Sequence, residues 1–400
     1  MDERPRTPGR IRENRRARVI VGAAAAVLLA AAGASVVLAD AGPSGEGQLV
    51  GFGYRAPSGG GGETDPPPDP GDPGDPREPS APGDPGEPSD PADPADPGDP
   101  ADPPGGPRPE DFADIGQAPP REDAPEPGRD ASTGSFTIDC GTNENGLFNS
   151  ENVIVAPGVP NGAQHTHDYV GNQDVGRFTD DVAANNRILA GGDTTCADGD
   201  RSMHYWPVLR DLTAEGEDAD LPGGGLDGNV GRILTPSSAT IEFLGHGQGP
   251  VTAMPEFLQI ITGNVKAATQ DGANANARWT CTGFEDRAFP DRYPLCPEGS
   301  DVVRVFDFPN CWDGRNTESE DNRSHIVFAE EDGRCPDGFT AVPRLRQTLV
   351  YDVPDGKSFA VDGFPEEGHA PITDHSDHIN VMPRELMDAV VDCVNSGRDC

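Results

Sequence analysis

An acidic, proline-rich block before residue 130 constrains the fold more than any other feature of the chain. From Gly59 to about Asp130, Asp-Pro dipeptides recur with glycine or alanine between them. Proline removes a backbone donor and fixes φ, and the block offers little apolar surface to bury. The pattern predicts a disordered, extended linker over residues 40–131, which confines the globular domain to residues 132–400.

The segment before the linker has the pattern of an export sequence. Residues 1–18 contain seven arginines, and the uncharged apolar run 19–39 follows them. A basic flank followed by an apolar run is typical of a signal peptide or a membrane anchor whose basic side stays in the cytoplasm. The run is just long enough to span a bilayer, but it also offers a cleavage site after Ala39. We therefore expect a transmembrane anchor or a signal peptide, with the remaining chain outside the cell, on the membrane or secreted.

The net charge of the chain argues against two classes of binding partner. The net charge is −39, and no basic cluster follows the first eighteen residues. The composition therefore argues against a nucleic-acid partner and against binding of the outer domain to an anionic membrane surface.

The cysteines indicate an oxidising compartment. Their number is even, which in an exported chain indicates disulfides, but eight cysteines allow 105 pairings. A thiolate zinc site is the alternative, although the chain lacks a Cys-x-x-Cys motif. Proximity along the chain suggests the pairs Cys140–Cys196, Cys281–Cys296, Cys311–Cys335 and Cys393–Cys400.

Short apolar or alternating runs separated by glycine, proline and asparagine indicate a β-rich domain. Two longer segments predict helices, one capped by Thr179 and ended by Gly191, the other starting at Pro383. The expected fold class is α+β, β-rich, with long disulfide-pinned loops. The predicted strands are residues 239–245, 257–265, 301–308, 324–329 and 345–353.

Two histidine-containing stretches are the strongest candidates for a functional site. In "GAQHTHDYVGN", His165 and His167 are two residues apart, so they share one side if the stretch is a strand. The stretch "TDHSDHIN" adds His375 and Asp377. Imidazole and carboxylate groups bind divalent metals or exchange protons near neutral pH. The alternative is that each histidine is simply hydrogen-bonded within the fold.

An ordered series of motifs resembles a known family. The series is "NVIVAPGVPNGAQHTHDYVGN", "HYWPVLRD", "FPNCWDG", "RSHIVF", "CPDGFTAVPRLRQTLVYDV" and "HSDHIN". It resembles the family called domain of unknown function nineteen-ninety-six, over about residues 136–395. That family usually has an aromatic residue where this chain has His378. The resemblance implies an exported domain with a recurring set of His, Asp and Trp residues, and it supplies no reaction.

Three functional hypotheses follow from these residues. The first is an enzyme, a hydrolase or lyase, acting on an extracellular polysaccharide or cell-wall polymer, with a divalent metal as a potential cofactor. The second is a non-catalytic carbohydrate- or wall-binding module, and the third is a structural surface protein with incidental histidines. The candidate catalytic residues are His165, His167, His325, His375 and Asp377; the candidate substrate-binding residues are Asn172, Trp206, Trp312 and Asp313; and the candidate metal ligands are His165, His167 and His375.

Overall fold

The computed structural model describes residues 106–121 and 125–400. The expected basic N-terminus, the apolar run and residues 40–105 of the expected linker lie outside the described residues. In the part that is described, no helix has both the length and the apolar character needed to cross a membrane.

Short strands dominate the described residues, which agrees with the expected β-rich class. Two α-helices are present, α1 (Val182–Gly191) and α2 (Arg384–Asn395). Single-turn 3₁₀ helices occupy Pro109–Asp111, Ile115–Gln117, Ala197–Gly199, Gly225–Asp227, Pro365–Glu367 and Pro371–Thr373. The strands are β1 (Phe112–Asp114), β2 (Ser135–Ile138), β3 (Phe148–Asn149), β4 (His167–Gly171), β5 (Met203–Pro207), β6 (Leu209–Asp211), β7 (Arg232–Leu234), β8 (Ser238–Leu244), β9 (Gln259–Gly263), β10 (Trp279–Cys281), β11 (Tyr293–Leu295), β12 (Val302–Asp307), β13 (Cys311–Trp312), β14 (Ile326–Val327), β15 (Thr340–Ala341), β16 (Arg344–Tyr351), β17 (Phe359–Val361) and β18 (His375–Ile379).

Both predicted helices form, with small changes at their ends. The side chain of Asp181, rather than that of Thr179, caps α1 by accepting a hydrogen bond from the backbone of Ala184. Pro383 takes the N-cap position of α2, one residue before the helix. Four of the five predicted strands match β8, β9, β12 and β16, whereas the run 324–329 contributes only the two residues of β14.

The first large sheet, called the β16 sheet, has the order β10-β12-β16-β8-β2 and is antiparallel throughout. Side chains of β16 alternate between buried and partly exposed positions along the whole strand. This period of two places Leu345, Gln347, Leu349 and Tyr351 in the interior and the arginines of the strand on the outer face.

The second large sheet, called the β18 sheet, has the order β3-β4-β5-β18-β9 and is also antiparallel. Every residue of β4, β5 and β18 is buried, so both faces of the sheet are covered. Its register sets Tyr169 opposite Tyr205, and Tyr205 opposite Asp377. The pairing therefore brings "HTHDYVGN" and "HSDHIN", which are far apart in sequence, onto strands separated only by β5.

The fold begins earlier than the expected boundary at residue 132. Strand β1 pairs in parallel with β11, and Phe112, Ile115 and Ala118 are buried in the main core. The expected linker over residues 40–131 is therefore too long at its C-terminal end, because these apolar side chains pack against the domain. Two small sheets complete the fold, with orders β14-β13-β15 and β17-β6-β7.

All eight cysteines lie in the described part of the chain and form four disulfides. The four pairs are those that proximity along the chain suggests, so the thiolate zinc alternative is wrong. His204 lies beside Cys140 and Cys196, but their disulfide leaves no thiolate to bind a metal there. Four disulfides indicate an extracellular protein.

The disulfides are expected to stabilise the domain unequally. Cys140–Cys196 closes a loop of 56 residues and Cys393–Cys400 a loop of 7. Because a longer loop removes more entropy from the unfolded chain, paired Cys→Ala replacement should cost about 4 kcal/mol at the first bridge and about 2 kcal/mol at the second. Urea unfolding of the two double variants measures both costs. A larger loss at Cys393–Cys400 would contradict this ranking.

Candidate metal centre

Three buried histidines converge on one face of the β18 sheet. The Nε2 atoms of His165 and His167 are 3.0 Å apart. The ring centroid of His375 lies 5.2 Å from that of His165 and 5.9 Å from that of His167. One nitrogen from each ring lies within 4.8 Å of the other two. These residues, called the histidine cluster, are the three candidate metal ligands identified from the sequence.

Strand geometry explains how the three rings meet. His167 begins β4 and His375 begins β18, at the same end of the sheet. His165 lies just before β4 and two residues from His167, so both side chains leave the chain on the same side. The cluster therefore depends on the order β4-β5-β18, which places the two strand ends one strand apart.

Backbone carbonyls orient two of the three rings. His167 Nδ1 lies 3.1 Å from the carbonyl oxygen of Glu151, and His375 Nδ1 lies 3.0 Å from that of Thr373. Since a carbonyl only accepts hydrogen bonds, each Nδ1 carries the proton and each Nε2 keeps its lone pair. Metal-binding histidines are typically oriented by such a hydrogen bond from the other ring nitrogen.

A buried ion pair holds the chain between His165 and His167. The backbone N–H of Thr166 donates to Asp362 Oδ2 at 3.2 Å, and Arg210 Nε donates to Asp362 Oδ1 at 2.5 Å. Arg210 also donates to both carboxylate oxygens of Asp218. The side chains of Arg210 and Asp362 are fully buried, so this network fixes the backbone that carries the two imidazoles.

The surroundings keep the imidazoles neutral. Burial lowers the pKa of His165 well below its usual value, lowers that of His167 to about 3 and lowers that of His375 to about 4. The charged form of His375 lowers the pKa of the other two further. Neutral imidazole is the form that binds a metal ion, so the cluster is ready to coordinate at neutral pH.

The spacing of the His165 and His167 Nε2 atoms fits joint coordination of one divalent ion. Two nitrogens bound to one Zn²⁺ at about 2.0–2.1 Å lie about 2.9–3.4 Å apart, depending on the coordination geometry. The 3.0 Å between the Nε2 atoms of His165 and His167 falls in this range. Three protein ligands with one open position are the usual donor set of a catalytic zinc site.

A family comparison agrees with the motif series. The family model described as Domain of unknown function (DUF1996) matches residues 152–380. The chain belongs to this family. No curated protein and no solved structure matches this chain significantly. The histidine cluster and Asp377 fall inside the region matched by the DUF1996 model.

Asp377 joins the histidine cluster at an open cleft of the DUF1996 domain. The cleft, called the histidine cleft, has a volume of about 420 Å³, and both His375 and Asp377 line it. Burial raises the pKa of the Asp377 carboxyl to about 8, against the opposing effect of the Arg323 guanidinium. Arg323 and Lys266 also line the cleft, and the ammonium of Lys266 lies 4.9 Å from the centre of the Phe364 ring.

Two expected site residues are fully buried in structural positions. Trp206 lies next to Tyr205 on β5, so its side chain projects to the opposite face of the sheet and packs in the main core. The expected stacking of Trp206 on a sugar ring is therefore wrong. Asn172 donates to the carbonyl oxygens of Leu189 and Arg201, which uses its amide group within the fold and removes it from the expected substrate site.

The remaining expected residues also have local partners in the DUF1996 domain. His325 contacts Ser319 Oγ through Nδ1 at 2.9 Å and the Gln259 carbonyl oxygen through Nε2 at 2.7 Å, so it is not part of the histidine cluster. Asp313 accepts hydrogen bonds from the backbone of the turn that follows it. Trp312 packs partly on the core and donates to the carbonyl oxygen of Asn316.

Two further histidines lie on the other face of the β18 sheet. His204 and His378 are cross-strand partners whose ring centroids are 4.6 Å apart. Gln347 of the β16 sheet contacts His204 Nδ1, which places the pair between the two large sheets. His378 therefore occupies a core position.

Several residues that build the site were not identified from the sequence. Glu151 and Thr373 contribute only backbone carbonyls, which no side-chain pattern reveals. Arg210 and Asp362 are far apart along the chain, so their pairing leaves no local signal. Arg323 lies two residues before His325 in a quoted motif, which is the one signal that could have found it.

Proposed function

We propose that this DUF1996 domain is a metal-dependent extracellular enzyme, a hydrolase or lyase acting on polysaccharide. His165, His167 and His375 hold a divalent ion, and Asp377 exchanges a proton with the substrate. The observation that supports the proposal most strongly is the convergence of three buried, neutral imidazoles next to an open cleft. A buried cluster of this kind costs desolvation energy, which a bound ion would offset.

In this proposal, different residues bind the metal ion and transfer the proton. His165, His167 and His375 would hold the divalent ion, which would supply Lewis-acid chemistry to a substrate oxygen or a water. Asp377 lies two residues after His375 on β18, so the two side chains share one face of the sheet. Its carboxyl lines the cleft, where a substrate hydroxyl or bridging oxygen can reach it. Lys266 and Arg323 offer hydrogen bonds to the same substrate.

The sequence pattern supports delivery of this domain to the cell surface. Residues 19–39 form an uncharged apolar run after a basic segment, and residues 40–105 are rich in Asp-Pro repeats. We include in the proposal that the run is a membrane anchor or a cleaved signal, and that the acidic segment separates the domain from it. The four disulfides support the extracellular destination.

Non-catalytic carbohydrate binding is the alternative function. Binding modules of that kind commonly present aromatic side chains on which sugar rings stack. Trp206 is fully buried, and Trp312 packs partly against the core. The polar histidine cleft is therefore a better candidate site than an aromatic platform, which favours the enzyme.

The test of this function combines metal analysis with one conservative substitution. We expect the full chain to contain close to one equivalent of divalent metal and to release reducing ends or unsaturated products from a member of a polysaccharide panel. Asp377→Asn should keep the metal and lower turnover by at least about 100-fold, since it removes only the proton-exchanging group. Elemental analysis and product assays give the two readouts.

Asp355→Asn is the matched control, because Asp355 is exposed and does not line the histidine cleft. This variant should retain both the metal and most of the turnover. A metal-free protein, or full turnover in Asp377→Asn, would contradict the proposal. Stoichiometric metal without product from any glycan would favour the binding alternative.

A further inference from the structure

Arginines gather around a single carboxylate on the outer face of the β16 sheet. Arg346 binds Asp307 with two hydrogen bonds, Nε to Oδ1 at 2.8 Å and Nη2 to Oδ2 at 3.0 Å. Arg278 Nη1 lies 3.1 Å from Asp307 Oδ2, and Arg344 Nε lies 3.9 Å from Oδ1. Arg346 and Arg278 thus take up most of the hydrogen-bonding capacity of this carboxylate.

A fourth arginine increases the local positive charge. Within the described residues, the side chain of Arg121 makes one hydrogen bond, a long one of 3.4 Å to the carbonyl oxygen of Glu285. Partial burial lowers the pKa of Arg121, and the guanidiniums of Arg346 and Arg278 lower it further. These four residues, Arg121, Arg278, Arg344 and Arg346, are called the arginine cluster.

The guanidinium of Arg344 also lacks a full set of hydrogen-bond and charge partners. Its Nε is buried and has no hydrogen-bond partner among the described residues. Burial lowers its pKa, and the other three members of the arginine cluster lower it further. Three guanidiniums form ion pairs with one carboxylate, which is an unusual concentration of positive charge in a chain whose net charge is −39. A purely structural network would be expected to pair its buried or partly buried charges more evenly.

A second cleft opens beside this cluster. It has a volume of about 450 Å³, and Arg121 and Arg278 line it. We call it the arginine cleft. Pro119, Phe289, Pro290 and Ile372 provide an apolar wall, and the exposed Asp291 is the one carboxylate among the lining residues. No residue lines both this cleft and the histidine cleft.

We propose that the arginine cleft binds a carboxylate- or phosphate-bearing ligand through Arg121 and Arg278. A guanidinium presents a planar fork of N–H donors that matches an oxyanion, which makes arginine well suited to this recognition. Arg344 and Arg346, which share Asp307 with Arg278, add to the positive potential. The apolar wall accommodates the carbon skeleton to which the anionic group is attached. This site is independent of the metal centre.

Binding of anionic probes to the full chain tests the proposal. The probes are inorganic phosphate, polygalacturonate as a carboxylate polymer, and neutral dextran as the uncharged polymer, each measured by calorimetry at low ionic strength. We expect phosphate or polygalacturonate to bind, the affinity to fall as sodium chloride is added, and dextran not to bind. Binding of phosphate alone would identify a small oxyanion as the ligand, and binding of polygalacturonate would identify a uronic-acid polymer.

Arg121→Gln is the informative variant, because the side chain of Arg121 makes one long hydrogen bond among the described residues and so contributes little to folding. It should weaken binding of the anionic probe at least about tenfold. Arg384→Gln is the control with the same change of net charge; its side chain is 84% exposed and pairs with Asp388 at 3.6 Å. The control should bind within about twofold of the wild type. Absence of anion binding, or equal weakening in both variants, would overturn the proposal.

Discussion

Replacing His167 by alanine is expected to reduce the divalent metal bound to the full chain to below about a tenth of the wild-type content. The substitution removes one of three imidazoles and leaves His165 and His375 too few to retain an ion through dialysis. It also removes the hydrogen bond to the Glu151 carbonyl that orients the ring. Elemental analysis of dialysed protein measures the loss.

Thermal and chemical stability provide a second readout of the same site. A ligand that binds only the folded state stabilises it, by about 4 kcal/mol at a concentration a thousand times its Kd. A chelator should therefore lower the free energy of unfolding of the wild type and have no effect on His167→Ala. Equal effects of chelator on the two proteins would show that any bound metal lies elsewhere.

His246→Gln is the matched histidine control. His246 is buried outside the cluster, where its Nδ1 contacts Asn310 at 3.4 Å. This variant should keep the full metal content and the full response to chelator. Loss of metal from His246→Gln, or retention by His167→Ala, would remove the histidine cluster as the binding site.

Much of the secondary structure could be predicted from the sequence, because single segments carried their own signals. Strand β16 alternates buried and partly exposed side chains, and the acid-capped, glycine-ended α1 has a recognisable start and end. The segment that contains Phe112 and Ile115 was assigned to the linker, because the sequence around it has the acidic, proline-rich composition of a linker. Its burial depends on β11, which lies far away in the sequence.

The site was only partly predictable, because the β18 sheet is covered on both faces. In "HYWP" and "HSDHIN" every side chain is buried, so no polar and apolar alternation shows which residues face the cleft. Trp206 was therefore a candidate site residue alongside Asp377, although the alternation of side chains along the strands places the two on opposite faces of the sheet. The sequence grouped His375 with His165 and His167 by residue type, but their convergence depends on the strand order, which the sequence does not encode locally.

The other large expected effect is a loss of stability at the buried ion pair of Arg304 and Asp374, the residue before His375. Arg304 donates to Asp374 through Nε at 3.0 Å and through Nη2 at 2.5 Å, and both side chains are completely buried. Arg304→Met should lower the free energy of unfolding by about 3–5 kcal/mol, because it leaves the Asp374 carboxylate buried without its partner. Urea unfolding in the presence of chelator measures this cost separately from that of the metal.

The double variant Arg304→Met/Asp374→Leu distinguishes loss of the pair from loss of packing. Since it removes both charges, it should be less destabilising than Arg304→Met alone. Arg384→Met is the exposed control and should cost less than about 0.5 kcal/mol. Asp374 immediately precedes β18 and His375, so Arg304→Met should weaken metal binding at His375, whereas Arg384→Met should not. If the double variant were as unstable as the single one, packing of Arg304 against the surrounding aromatic rings, rather than charge, would explain the stability of this part of the fold.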